Sequence, residues 1–261
     1  MIGRARLVEE LRALEIPAAG VVLVHCALRR VGRIEGGAAT LLAALRTVLG
    51  GRGTLVTPAQ TPGNSLTSRV YRAATAGMTD DDRARHEAAM PGFDPATTPS
   101  EGMGALAEAV RRHRAAHRSR HPQTSFAAVG PAAEEVTGVH DLDCHLGERS
   151  PLGALYRLGA TVMMIGVGMD KCTALHLAEY RLSVPPPLMA FSCFVIDNGR
   201  RALRRFQAPQ LDDRDFAVIG RDLLEQPWVR AGRLGSAPVH LLPMVPTVDH
   251  AATWFEKNRQ P

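Results

Sequence analysis

Several features that would mark other classes of protein are missing from this 261-residue chain. No run of 18 apolar residues occurs, so no candidate membrane-spanning helix is present. The opening segment MIGRARLVEELRALEIP mixes charge through its apolar positions, unlike the basic stretch, apolar stretch and cleavage site of a secretory leader. A cytoplasmic protein is expected. The four cysteines, Cys26, Cys144, Cys172 and Cys193, form no CxxC pair, which argues against a disulfide framework or a zinc knuckle and calls for no metal. There is no GxxxxGK[ST], and Gly166-Val167-Gly168 lacks the third glycine of a dinucleotide fingerprint. There is no GxSxG elbow, and His86-Glu87 does not complete HExxH. Aromatic residues make up only 5% of the chain and do not alternate with arginine, which weakens a single-strand nucleic-acid reading. Lysine is almost absent, at Lys171 and Lys257 alone, so the net charge of +5 rests on arginine. Such a balance suits an acidic small ligand and also fits weak nucleic-acid attraction, so charge alone does not choose between them; the expected partner is a small molecule, with no nucleic acid and no membrane.

What is present reads as one large α/β domain over residues 1–261, since 45% hydrophobic content at this length allows one continuous core. Leu7, Val8, Leu11 and Leu14 recur at helical spacing. Val21 to Val24 is a short β-branched and aliphatic run that suits a buried strand ending at His25. Residues 38–49 read as a helix closed by Gly50 and Gly51, and Thr54 to Thr57 as a second strand ended by Pro58. This is a βαβ unit, whose parallel strands collect ligands beyond their C-terminal ends. A long loop insertion at about 60–102 lacks periodicity, as a lid or binding loop does. Further elements are a helix over 103–116, a strand at 125–129, a helix capped by Ser150 and Pro151, and a central strand TVMMIGV at 161–167 leading into a helix near 173–182. Asp197-Asn198-Gly199 is a hairpin signal between strands at 191–196 and 202–206, and a helix fits 212–225.

The strongest chemical constellation is Thr173, His176 and Glu179 at the start of the helix after the central strand. A spacing of three places them on one helix face. A histidine there can serve as a general base near neutral pH, with a carboxylate to hold its tautomer and a hydroxyl to donate to a developing oxyanion. A capped amphipathic helix with an incidental histidine is the bland alternative. His25 faces the same crevice, and a satisfied structural histidine is its alternative reading. Cys26 beside it points to the opposite face of a strand, which disfavours a Cys/His nucleophile pair. His113, His117 and His121 are spaced by four and predict one face of a basic, solvated helix. The arginines among them make a cation site electrostatically poor.

Four stretches, in order, carry a resemblance: VVLVHCALRRVG at 21–32, PGFDPATTPSEGMGALAE at 91–108, RSRHPQTSFAAVG at 118–130, and SPLGALYRLGATVMMIGVG with TALHLAEY at 150–180. Together they resemble the aminoglycoside 3-N-acetyltransferases, acetyl-CoA-dependent antibiotic N-acetyltransferases unrelated in fold to the common GNAT enzymes. The resemblance implies a three-layer α/β/α sandwich around a mixed, largely parallel sheet. It also implies transfer of acetyl from acetyl-CoA to the 3-amino group of an aminoglycoside, with His176 as base and Thr173 and Glu179 beside it. Coenzyme A would lie near His25, Cys26 and Ala27, near Thr97, Thr98 and Ser100, and near Ser119, His121 and Pro122.

The family's serines after the strand-end histidine are replaced here by Cys26 and Ala27. The acids expected near the hairpin are replaced by Arg204, Arg205, Phe206 and Gln207, which leaves Asp80, Asp81, Asp82, Asp212 and Asp213 as the expected acceptor-binding acids. An acyltransferase of the same fold acting on another amine in natural-product biosynthesis is the alternative reading. The chain is expected to act as a monomer or homodimer.

Overall fold

A strand buried on both faces must send alternate side chains into two different cores, and the central strands of this protein do so. The computed structural model describes residues 1–259. Its strands are β1 (Val21–Cys26), β2 (Thr54–Pro58), β3 (His117–Arg118), β4 (Phe126–Val129), β5 (Thr161–Ile165), β6 (Leu188–Asp197), β7 (Arg200–Pro209), β8 (Arg230–Leu234) and β9 (Ala237–Pro243). Seven of them form one sheet in the order β3-β4-β2-β1-β5-β9-β8. Leu23, Val56, Phe126, Val162, Met164 and Leu242 point into one core. Their neighbours Val22, Val24, Leu55, Ala127, Met163 and Leu241 point into the other.

Each core is closed by helices. On the second face lie α1 (Arg4–Ala13), α2 (Leu28–Val31) and α3 (Gly37–Leu49). In the loop region come α4 (Arg69–Ala74) and α5 (Asp80–Ala89), followed by α6 (Gly104–Arg111), which also packs on the second face. The first face is covered by α7 (Ala133–Thr137), α8 (Pro151–Arg157), α9 (Leu175–Glu179), α10 (Phe216–Leu224) and α11 (Met244–Asn258). The result is the three-layer α/β/α arrangement.

The sheet is mixed, but the expectation that it is largely parallel is corrected. Only β1–β2 and β1–β5 are parallel, while β2–β4, β3–β4, β5–β9 and β8–β9 are antiparallel. The reason is local. The helical crossover α3 imposes parallel pairing on β1 and β2, whereas β8 and β9 are joined by a tight turn at Gly235, which holds φ +56. Asn198 and Gly199 likewise both have positive φ, as the Asn-Gly signal requires, and they close a separate two-stranded hairpin of β6 and β7.

Residues 60–102 are more ordered than their lack of periodicity predicts. Ser68 caps α4 by accepting from the Tyr71 N–H, and Thr79 caps α5 by accepting from the Asp82 N–H. α5 buries no residue, which is why no apolar stripe announces it. Bridges between Ser65 and Cys193 and between Phe93 and Val195 fasten the segment to the hairpin. The helix expected over 103–116 stops at Arg111, and His113, His117 and His121 do not share a helix face. The chain turns after His113 because His117 and Arg118 must pair with β4 at the sheet edge.

Leu23 is fully buried in the first core at the centre of the sheet. Leu23→Ala is expected to destabilise the protein by about 2–5 kcal/mol, read from the shift of the urea midpoint at constant slope.

Candidate active site

Parallel strands β2, β1 and β5 deliver Pro58, His25, Cys26 and Val167 to one end of the sheet, where a cleft of about 750 Å³ opens. Ligand clefts of open α/β sheets form at such strand ends. Phe191 and Met189 of the hairpin line one side, and Gly102, Met103 and Gly104 line another. Gly104 has φ +87, and a Cβ there would lie 3.3 Å from the Cys26 carbonyl, so the tight approach of α6 to the end of β1 favours glycine. No side chain caps α6, whose first residue, Gly104, lines the cleft.

His176 and Thr173 both line this cleft. A 3-10 turn at Met169–Lys171 and the short helix α9 follow the central strand β5, and their apolar residues Met169, Cys172, Leu175 and Leu177 are buried in the first core. That packing leaves His176 partly open to the cleft and turns Glu179 inward, where it is 1% exposed. His176 Nδ1 donates to Glu179 Oε2 at 2.6 Å. The other carboxylate oxygen, Oε1, accepts from the Asp212 backbone N–H at 2.8 Å and from Arg259 Nη1 at 2.6 Å. With Nδ1 so engaged, Nε2 is the nitrogen left to exchange a proton with a ligand. The His176 ring lies 4.7 Å from the Phe216 ring, which restricts its tilt.

His25 also lines the cleft, and it comes off β1 on the side of Leu23, the face that carries α9. Burial pulls it down to about 4, so its ring is neutral at pH 7. Burial pushes the Cys26 thiol up to about 12, which removes it as a nucleophile. Ala27 completes this wall.

The remaining expected residues are distributed less simply. Thr97, Thr98 and Ser100 are not part of the cleft wall: Thr97 is exposed, Thr98 accepts from the Asp94 N–H at 2.9 Å, and Ser100 donates to Glu108 at 2.9 Å. Pro122 is buried beneath the wall, where its carbonyl accepts from the Thr61 hydroxyl. Ser119 and His121 are fully buried. The Ser119 hydroxyl accepts from the Phe126 N–H and bonds His140, and His121 Nδ1 accepts from the N–H groups of Gln123 and Thr124. Both residues shape the loop behind the cleft and do not touch its interior. Asp80, Asp81 and Asp82 form the exposed first turn of α5, away from the cleft lining. Asp213 lines the cleft; Asp212 instead turns its carboxylate to Arg214 and its amide to Glu179.

Residues that spacing did not single out complete the wall. Gln123 and His145 line the cleft, and the Nε2 atoms of His25, Gln123 and His145 are all buried without a protein partner. Buried polar atoms are rarely left so, and these three lie covered within the wall of the cleft. No motif surrounds His145; it comes close only because His121, His140 and His145 cluster, with ring centroids 4.6–4.7 Å apart. Among the described residues, no group of His, Cys, Asp or Glu is arranged to hold a metal.

A histidine held by a buried carboxylate and opening on a cleft is an arrangement that general-base catalysis uses. The profile of the family described as Aminoglycoside 3-N-acetyltransferase matches residues 23–256. The chain belongs to this family. It is 34% identical over 271 residues, 98% of this chain and 93% of the relative, to aminoglycoside N(3)-acetyltransferase VIII of Streptomyces fradiae. The crystal structure of the YokD protein from Bacillus subtilis superimposes with a TM-score of 0.91 at 29% identity, covering 98% of this chain and 94% of that one. A structure of AAC-IIIb with CoASH does so with a TM-score of 0.86 at 29% identity, covering 100% and 99%.

The buried histidines couple stability to pH. Burial pulls His25 and His145 down to about 4 and His121 well below its ordinary range, whereas the unfolded chain titrates them near 6.5. Between those values the unfolded state binds more protons, so stability is present above about pH 6.5 and is lost as pH falls toward about 4, at about 1.4 kcal/mol per pH unit for each histidine. Urea unfolding at about pH 7.5 and about pH 5 should show this loss, and His145→Gln should flatten the slope by about one proton.

Proposed function

We propose that this protein is an acetyl-CoA-dependent aminoglycoside N(3)-acetyltransferase that confers resistance by acetylating the 3-amino group of the deoxystreptamine ring. Residues 1–261 would act as a single catalytic domain in the cytoplasm. The observation that carries the reading is the His176–Glu179 pair, 2.6 Å apart, at the cleft beyond the parallel strand ends. Family membership supports the acetyl donor and the acceptor class. No described helix is long and apolar enough to cross a membrane.

The cleft fits coenzyme A in chemistry as well as size. Ser68, Gln123 and Thr124 line the cleft with polar side chains for a pantetheine arm, and Arg69 and Arg72 at the wall supply positive charge for phosphates. Acetyl-CoA brings the acetyl group as an activated thioester. An aminoglycoside amine is largely protonated near neutral pH, so the first task is to free its lone pair. His176 Nε2 takes that proton, and Glu179 holds the resulting imidazolium through Nδ1. The amine nitrogen forms the bond to the acetyl carbon as the carbon–sulfur bond breaks, His176 gives the proton it holds to the departing sulfur, and the new amide nitrogen loses its second proton through the freed imidazole to water, so that amide, free thiol and one proton are the products. Thr173, which lines the cleft, would donate its hydroxyl to the carbonyl oxygen as charge develops there. Asp213 provides a carboxylate for the other ammonium groups of the acceptor.

His176→Ala is expected to lower turnover by roughly 100-fold or more without unfolding the protein. Free-thiol release from acetyl-CoA across gentamicin-, apramycin- and neomycin-type acceptors measures this. Near wild-type turnover in the variant would remove His176 from the mechanism, and failure of every aminoglycoside beside success of another amine would overturn the acceptor.

A further inference from the structure

The carboxylate that holds His176 is itself held from outside the region that defines the family. Arg259 lies beyond the family match, which ends at residue 256, and 80 residues from Glu179. Its Nη1 donates to Glu179 Oε1 at 2.6 Å. Its Nε and Nη2 donate to the two oxygens of Asp215 at 2.7 and 2.5 Å, and Nη2 also donates to the Asp212 carbonyl at 2.7 Å. The guanidinium lies over the Phe255 ring at 3.7 Å. Phe255 stacks on Phe216 at 6.0 Å, and Phe216 packs 4.7 Å from His176. The contacts form a closed circuit from Arg259 through Glu179, His176, Phe216 and Phe255 back to Arg259.

We infer that Arg259 is a positioning residue for the acetyl transfer, fixing the Glu179 carboxylate, and through it the His176 ring, in the orientation that presents Nε2 to the cleft. The reason is geometric. Glu179 is 1% exposed, so no water can replace a lost donor at little cost. With Arg259 in place, Oε1 has two donors and Oε2 is left to His176. Without it, Oε1 keeps only the Asp212 N–H, and the carboxylate is free to rotate and give both oxygens to the imidazole. Lysine would retain the charge but not the fork that joins Glu179 and Asp215 at once.

The electrostatic consequence has a definite sign. The groups around the His176–Glu179 pair are Tyr180 on the same helix, Asp212, Asp213, Arg214 and Asp215 ahead of α10, Arg259 after α11, and His145 from the loop after α7, which burial keeps neutral at pH 7. Removing Arg259 deletes the cation that touches Glu179 and leaves Asp215 without its partner. Both changes favour a protonated imidazole and push the acid side of the rate profile to higher pH.

The inference rests on His176 acting as the base, and the experiment separates the two. Arg259→Gln, Arg259→Lys and His176→Ala are compared in the full chain by thermal melting, kcat, KM for both substrates, and the pH profile of kcat/KM. Arg259→Gln is expected to lower kcat about 10- to 100-fold with both KM values within about twofold, and to move the acid side upward. Arg259→Lys should recover part of kcat and keep the acid side in place. Wild-type kcat and profile in Arg259→Gln, with His176→Ala inactive, overturns the inference and spares the mechanism. Equal losses in the Gln and Lys variants with an unmoved acid side show fold support alone and also overturn it. An active His176→Ala fails the mechanism first. Should Arg259→Gln not fold, Asp215→Asn keeps the cation and weakens its anchor. A severalfold fall in kcat at constant KM is then expected, and an unchanged kcat overturns the inference.

Discussion

A carboxylate that is 1% exposed is tolerable only if the protein surrounds it with donors, and the site is built around meeting that demand at Glu179. The idealised cost of dehydrating such a charge is many kcal/mol, and it is offset here by three hydrogen bonds from three parts of the chain: His176 on α9, the Asp212 amide ahead of α10, and Arg259 beyond α11. Each donor must therefore sit within hydrogen-bond reach of one point. That requirement locks together α10 and α11, two of the helices that cover the first core, and the five-residue helix that carries His176. α9 is too short to be stable by propensity, and its packing and this carboxylate define its place.

The cleft side of the base is arranged on a different principle. His25 and His145 are neutral at pH 7 because burial disfavours their charged forms, and Cys26 is kept as a thiol for the same reason. The cleft thus holds several titratable side chains, yet only His176 has a carboxylate on its ring. Neutral histidines and a protonated thiol beside His176 leave few competing bases to take the proton. The selectivity among histidines comes from the one buried acid and not from the number of histidines.

Much of this architecture is legible in the residues. Short uninterrupted apolar runs at Val21 to Val24 and Thr161 to Val167 mark the central strands, Asn198-Gly199 marks the hairpin, and the spacing of His176 and Glu179 brings imidazole and carboxylate together. What sequence does not reveal is of two kinds. Short helices without an apolar stripe, such as α5, leave only capping residues as a signal, and the edge strand at His117 overrides an apparent helical spacing of histidines because β4 offers it a ladder. Contacts distant along the chain are the second kind. Arg259 to Glu179, the ring of His121, His140 and His145, and the arrival of Gln123 at the cleft all depend on chain reversals that no local pattern encodes. The motif stretch around Ser119 and His121 is legible as important but not as buried: its polar groups face inward to backbone amides, and the cleft receives Gln123 and Thr124 instead.

The charge of the cleft resolves a tension in the composition. A chain of net charge +5 is poorly suited, as a whole, to attract a polycationic aminoglycoside, and it lacks acids on the hairpin face at Arg204, Arg205 and Gln207. Within the cleft, however, the wall carries both signs: Arg69 and Arg72 on one hand and Asp213 on the other, with Lys171 and Asp170 paired to each other at 3.1 Å. A reaction that joins a polyanionic donor to a polycationic acceptor needs this division. A uniformly acidic cleft would repel the phosphates, and a uniformly basic one would repel the ammonium groups. Screening confines such fields to about 8–10 Å at physiological salt, so the local placement of each sign governs binding more than the net charge does. Arg259 belongs to neither set, because its charge is consumed by Glu179 and Asp215 behind the cleft. It holds Glu179 and Asp215 in place, while the charges at the wall face the cleft.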